Sequence, residues 1–187
     1  MKVYVFLAEG FEETEAIFPA DIMRRASLEV LLVACSGKLA VKGSHGITIT
    51  ADVLLDEVVS APLPNAVVLP GGMPGAVNLA QSKGVSSLVL AMNDAKKLIA
   101  AICASPAVAF GSFGVLKDRN WTCYPGMEKE VAPQFASGWK EDRVVVDGNL
   151  VTSRGPGTAG EFGFALVDEL LGSGASVPLK KGMLCSF

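Results

Sequence analysis

The sequence predicts an α/β fold with a mostly parallel central sheet, and three observations carry that prediction. Apolar blocks of strand length alternate with amphipathic stretches, the pattern of successive βαβ units. The apolar blocks are nearly continuous instead of alternating polar with apolar, as in strands covered on both faces. No repeat, charge block or Pro/Gly/Ser linker divides the 187 residues, half of which are apolar, so residues 1–187 are read as one domain around one sizeable core.

Strands are predicted at Val3 to Ala8, Val30 to Ala34, Ala66 to Leu69 and Leu98 to Ile102. Helices are predicted from about Glu12 to Ala26, Val85 to Lys97, Pro106 to Val115 and Gly160 to Leu171. Arg143 to Val146 and Leu150 to Ser153 flank Asp147-Gly148-Asn149 and read as an antiparallel hairpin, because Asp-Gly readily takes positive φ. The first block could imitate a signal peptide, but Glu9 ends it too early. Leu98 to Leu116 runs 19 residues without a charge, close to bilayer length. Its interior Ser105, Pro106, Gly111, Ser112 and Gly114 favour a buried strand and helix, and no membrane span is expected.

The formal charge of −3 and pI near 5.2 give no basic footprint for a phosphate backbone, so nucleic acid is not expected as a partner. The four cysteines, Cys35, Cys103, Cys123 and Cys185, lie far apart with no CxxC pair and no His-Cys cluster. No metal or organic cofactor is expected. A reducing, cytoplasmic compartment is the simpler inference for such thiols.

Ligands of parallel sheets gather at the carboxyl ends of the strands, so the residues that follow each strand come first. Ala100-Ala101-Ile102-Cys103-Ala104-Ser105-Pro106 is a buried strand that runs into a thiol, two small residues and a proline suited to a first helical turn. Such an elbow lifts a nucleophile above the sheet, and backbone N–H groups at a helix start favour the thiolate. An inert buried cysteine is the common alternative; the elbow argues against it. Cys103 is therefore expected to titrate below the ordinary thiol value of about 8.5.

Val67-Val68-Leu69-Pro70-Gly71-Gly72 ends a strand in two glycines whose amides can approach a ligand closely, although Pro-Gly-Gly is also ordinary turn punctuation. With the Ala104 amide, Gly72 would form an oxyanion hole over Cys103. Four carboxylates follow the first strand, at Glu9, Glu12, Glu13 and Glu15. An acidic helix start accounts for Glu12 and Glu13. Glu15 enters apolar surroundings at Ala16-Ile17-Phe18-Pro19, where a carboxyl tends to stay protonated and can hydrogen-bond a thiolate or pass on a proton.

The Ala8-Glu9-Gly10-Phe11-Glu12-Glu13-Thr14-Glu15 segment, the Pro70-Gly71-Gly72 turn, Ala100-Ala101-Ile102-Cys103-Ala104 and Thr152-Ser153-Arg154-Gly155-Pro156-Gly157-Thr158 occur in an order that resembles the DJ-1/ThiJ/PfpI superfamily, most closely its DJ-1 branch. The resemblance spans almost the whole chain. It implies a flavodoxin-like three-layer sandwich, a homodimer, Cys103 as nucleophile and Glu15 as its protonated partner. It also implies glyoxalase conversion of methylglyoxal to lactate, protein deglycase action, oxidative-stress sensing or chaperone activity.

Two positions depart from the family pattern. Ala104 stands where the PfpI branch has a histidine, which removes the base a peptidase needs. Tyr124 stands where the DJ-1 branch carries a pocket histidine, leaving Glu15 to move protons with at most the Tyr124 hydroxyl to help. His45, the one histidine of the chain, reads as a solvated turn residue on its own. The resemblance instead places His45, with Arg25, on segments reaching the partner's site, where either would bind an anionic group. Gly71, Tyr124 and Arg154 complete the expected substrate contacts, although Arg154 alone would read as a surface cation. Cys35, Cys123 and Cys185 are not expected to carry chemistry, and Trp121 and Trp139 read as packing. The leading function is thus a cofactor-independent enzyme acting on small α-oxoaldehydes. A redox sensor or chaperone using the same cysteine is the rival.

Overall fold

The near-continuous apolar blocks form the inner strands of a seven-stranded sheet. The computed structural model describes all 187 residues, Met1–Phe187. In chain order the elements are β1 (Lys2–Leu7), α1 (Glu13–Arg25), β2 (Glu29–Ala34), β3 (Ala40–Lys42), β4 (Thr48–Thr50), β5 (Val53–Leu54), α2 (Leu55–Val58), β6 (Ala66–Leu69), α3 (Gly75–Gln81), α4 (Lys83–Asp94) and β7 (Leu98–Ile102). A π-helical turn (Pro106–Phe110) then leads into α5 (Gly111–Phe113), followed by β8 (Val144–Asp147), β9 (Leu150–Ser153), α6 (Ala159–Leu171) and α7 (Val177–Gly182). No helix is long and apolar enough to cross a membrane.

The strand order is β5-β2-β1-β6-β7-β9-β8, parallel throughout except for the β8–β9 hairpin. Asp147 pairs with Leu150, so the hairpin loop is Gly148-Asn149, with Gly148 at φ +59°. Side chains alternate between the two faces as the pleat requires. Val3, Val5 and Leu7 of β1 join one core with α1 and α6, whereas Tyr4, Phe6 and Ala8 join a second core with α3, α4 and the π-helical turn. The chain is an α/β three-layer sandwich of the flavodoxin-like kind.

The helices depart from expectation mainly at their ends. Glu12 caps α1, its side chain accepting the Glu15 N–H at 2.7 Å. Ser82 likewise caps α4, moving its start ahead of Val85. The predicted helix after Cys103 is broken into a π-helical turn and a short α-helix and stops at Gly114, which has φ +76°. α6 packs against α1 through Gly160 and Gly163: a Cβ on Gly163 would stand 2.8 Å from Ile22 Cδ1 and 3.0 Å from Pro19 Cα. The β3–β4 hairpin lies outside the main sheet and is an addition to the elements expected from the sequence.

The sequence turns from β2, on one side of β1, to β6 on the other, which makes the carboxyl ends of β1 and β6 a topological switch point. Gly10 to Glu15, Pro70 to Gly72 and Cys103 all lie just beyond strands at that end.

Candidate active site

Cys103 follows β7 directly and has φ +64°, the left-handed region that a side chain other than glycine rarely adopts. Its N–H donates to Ser153 O at 3.0 Å, and its carbonyl accepts the Tyr124 N–H at 2.8 Å. Neighbouring segments on both sides thus hold the strained turn. Ser105, fully buried, donates from Oγ to Pro70 O and ties the elbow to the turn that precedes Gly71. The Gly72 and Ala104 N–H groups face the Cys103 sulfur and favour its anion.

Glu15 is completely buried. Its Oε2 accepts the Gly71 N–H at 2.8 Å, while Oε1 has no hydrogen-bond partner of good geometry. Burial pushes the carboxyl up to about 7, against the lowering effects of the Cys103 thiol and the Gly71 N–H. A proton on Oε1 would give that oxygen a donor to offer the sulfur.

The expectation of a low-titrating thiol is corrected by this environment. Burial first, then the charge and hydrogen bonding of Glu15, push Cys103 above the ordinary thiol range, while the Gly72 and Ala104 N–H groups pull it down. Two of the three raising effects belong to ionised Glu15 and vanish when that carboxyl holds the proton. Cys103 and Glu15 therefore titrate as a pair, and a thiolate is less opposed in the form that has Glu15 neutral.

A cavity of about 520 Å³ opens over the pair. Gly72, Ala104 and Tyr124 line it with Cys103 and Glu15, as expected, and so does His45 of the same chain. His45 thus lines the cavity of its own chain. Tyr124 is 49% exposed, and Met73, Pro125, Met127 and Pro156 supply apolar wall. Gly71 has another task than the expected substrate contact: its N–H is committed to Glu15, and a Cβ there would lie 2.6 Å from Cys103 Cβ and 2.7 Å from Glu15 Oε2. Arg154 is not on the cavity wall, and Arg25, expected at the partner's site, does not line the cavity of its own chain. Arg25 pairs with Asp21 at 2.7 Å within α1, and Arg154 Nη1 donates to Glu141 O at 2.7 Å.

Glu13 carries a part that the sequence did not signal. It accepts the His45 N–H at 2.9 Å and the Ile47 N–H at 3.3 Å on Oε1, and its Oε2 lies 2.9 Å from His45 Nδ1. Burial works to raise Glu13, but these hydrogen bonds outweigh it and hold the carboxyl below its ordinary value. His45 is raised in turn, by its hydrogen bond to Glu13 and the charge there. Glu12, Glu13 and His45 bring one potential ligand atom each within 4.8 Å of one another, the one grouping that offers a cation several donors.

The DJ-1/PfpI family model matches residues 1–169. The chain belongs to the DJ-1/PfpI family. Protein DJ-1 homolog B of Arabidopsis thaliana is 40% identical over 177 residues, which are 94% of this chain but 40% of that protein, so the chain spans well under half the length of this relative. A protein of Pyrococcus abyssi named as a deglycase is 37% identical over 158 residues, 84% of this chain and 92% of its own. Among solved structures, the oxidised DJ-1 of Toxoplasma gondii superposes with a TM-score of 0.94 at 33% identity, covering 100% of this chain and 99% of that one. The first-strand carboxylates, the Pro70-Gly71-Gly72 turn and the Cys103 elbow, which carried the resemblance, are also the segments that meet at the cavity.

Proposed function

We propose that the chain is a cofactor-independent glyoxalase-type enzyme for small α-oxoaldehydes such as methylglyoxal, acting as a single domain over residues 1–187. The observation that carries this reading is the fully buried Glu15 carboxyl, raised to about 7, beside a thiol that faces two backbone N–H groups. Proton exchange near neutral pH is what a general acid and base needs. The Cys103 sulfur attacks the aldehyde carbon, and the Gly72 and Ala104 N–H groups hold the oxyanion. Glu15 carries the proton from the aldehyde carbon to its neighbour as hemithioacetal becomes thioester. Water then releases the 2-hydroxy acid, and no metal or organic cofactor takes part.

The deglycase name of the Pyrococcus relative supports the same thiol chemistry on sugar-derived adducts. Ala104, in place of a base, speaks against peptidase action. A homodimer in a reducing, cytoplasmic compartment fits the four free thiols and the family.

The rival reading is a redox sensor or redox chaperone, in which Cys103 is oxidised to a sulfinate stabilised by Glu15. It draws on the solved oxidised state of the Toxoplasma protein. Lactate formation from methylglyoxal without glutathione separates the two. Turnover by the wild type and none by Cys103→Ser is expected; no turnover by the wild type would leave the sensor as the better reading.

A further inference from the structure

Once the proposed roles are assigned, one end of the substrate still lacks a partner. An α-oxoaldehyde has two adjacent carbonyl oxygens, O1 on the aldehyde carbon and O2 on the ketone carbon. The Gly72 and Ala104 N–H groups serve O1, and Glu15 lies at the sulfur. The other polar groups on the cavity wall are Glu12, Ser44, His45 and Tyr124. Glu12 accepts the Glu15 N–H, and Ser44 Oγ lies 3.2 Å from His45 Nδ1. His45 is the only cationic side chain on the wall.

We infer that His45, oriented by Glu13, is a catalytic residue of this cavity, whose Nε2–H binds the ketone oxygen O2 and exchanges a proton with it during turnover. This inference rests on the glyoxalase reading. With Nδ1 2.9 Å from Glu13 Oε2 and the His45 N–H 2.9 Å from Glu13 Oε1, the ring is held from one side. Its Nε2 is left for a ligand. A carboxylate that accepts from one ring nitrogen fixes the tautomer and orientation of an imidazole and leaves the other nitrogen to act on a ligand.

The step balances without an oxidant. Addition forms the S–C1 bond, and O1 takes the proton of Glu15. The Glu15 carboxylate then removes the C1 proton, the C–H pair becomes a C1–C2 double bond, and the C2–O2 π pair moves onto O2, which receives the Nε2 proton. Glu15 next returns its proton to C2, the O1–H bond breaks to re-form C1=O1, and that proton restores Nε2. C1 is oxidised to a thioester and C2 reduced to an alcohol carbon. Donation at Nε2 requires the imidazolium, because the other ring proton points to Glu13.

The groups that face His45 are Glu12, Glu13 and Glu15 at the start of α1, with Cys103 and Tyr124 across the cavity. The three carboxylates all raise its titration, so the imidazolium persists above the ordinary histidine value.

The test compares pH profiles of kcat/KM for wild type, His45→Gln and Glu13→Gln with methylglyoxal. The wild type should lose activity on the alkaline side as His45 deprotonates. His45→Gln should lower kcat/KM by roughly 10²-fold, mainly in kcat, and remove that limb. Glu13→Gln should move the limb to lower pH, a displacement that mere structural support would not produce. An active wild type whose limb survives in His45→Gln overturns the inference and leaves the glyoxalase reading standing. A second measurement needs no turnover: as the chain has one histidine, its imidazole gives a single NMR resonance set. In Cys103→Ser, 2,3-butanedione should shift that set and raise its titration midpoint. An unmoved resonance overturns the inference whether or not the wild type makes lactate.

Discussion

Glu13 and Glu15 lie on one turn of α1, two positions apart, and their surroundings drive them in opposite directions. Glu13 points to the β3–β4 connection, where the His45 side chain and two backbone N–H groups converge on its carboxylate and lower it. Glu15 points into the sheet end, where burial outweighs the Cys103 thiol and the Gly71 N–H and raises it to about 7. Both side chains are buried, but Glu15 is fully enclosed whereas Glu13 keeps an edge toward solvent, so depth of burial and the donors that meet the charge together set the direction.

The largest effect should come from removing the raised carboxyl. Glu15→Gln keeps a donor but cannot exchange a proton, so glyoxalase turnover should fall roughly 10²- to 10⁴-fold. Because the charge and hydrogen bonding of Glu15 push Cys103 up, the same variant should alkylate with its pH inflection below that of the wild type. Iodoacetamide rates across pH check this. An inflection that stayed put would show that burial alone sets the thiol.

Next in size is the link between the two groups. In Gly71→Ala the added Cβ would meet Cys103 Cβ at 2.6 Å and Glu15 Oε2 at 2.7 Å, and neither segment can yield, being pinned by Ser105 and by the α1 cap. A destabilisation of about 1–3 kcal/mol is expected, as for other overpacked sites, together with loss of the high Glu15 titration. Urea unfolding with a carbonyl-stretch titration reads both. An unperturbed carboxyl in a folded variant would break the assignment of Gly71 as its positioning residue.

The inner strands were legible because strands buried on both faces leave long apolar runs, and β1, β6 and β7 do so. Cys103 and Glu15 were legible because each follows a strand, with a local pattern that names its chemistry. The β3–β4 hairpin was not, since its strands have three residues each and carry exposed polar side chains. The Glu13–His45 pair depends on that hairpin and joins positions 32 apart, so neither local pattern announces it. The direction of the thiol titration is hidden from the sequence for a related reason: the elbow announces the amides, whereas the depth of burial and the approach of Glu15 arise only from tertiary packing. Arg154 carries charge without an address, and its guanidinium donates to the Glu141 carbonyl away from the cavity.

The contrast should also appear in stability against pH. A carboxyl raised on folding binds its proton more tightly in the folded state, so its contribution is complete below 4.5 and is lost as pH rises to about 7. The shift corresponds to about 3 kcal/mol. Glu15→Gln should remove that decline, and the gap between variant and wild type measured by urea unfolding should move in favour of the variant from pH 4.5 to 7. A gap that does not change would mean that Glu15 ionises as readily folded as unfolded.

The smallest effect belongs to the other member of the comparison, and its sign is reversed. Glu13 is lowered on folding, so its stabilisation is present above 4.5 and is lost as pH falls through its folded value. The His45 contribution is present below 6.5 and fades as pH rises through its own raised value, so the pair is strongest between the two titrations. Glu13→Gln leaves an acceptor for the His45 and Ile47 N–H groups but removes the charge, which should cost on the order of 1 kcal/mol near pH 6. The cost should shrink toward acid pH, as wild-type Glu13 itself becomes neutral, whereas the Glu15→Gln gap shrinks toward acid from the opposite side, by losing a benefit. Urea midpoints of both variants at pH 3.5 and 6 test this. Equal slopes for the two would mean that the surroundings of Glu13 and Glu15 do not differ in the way their hydrogen bonds require.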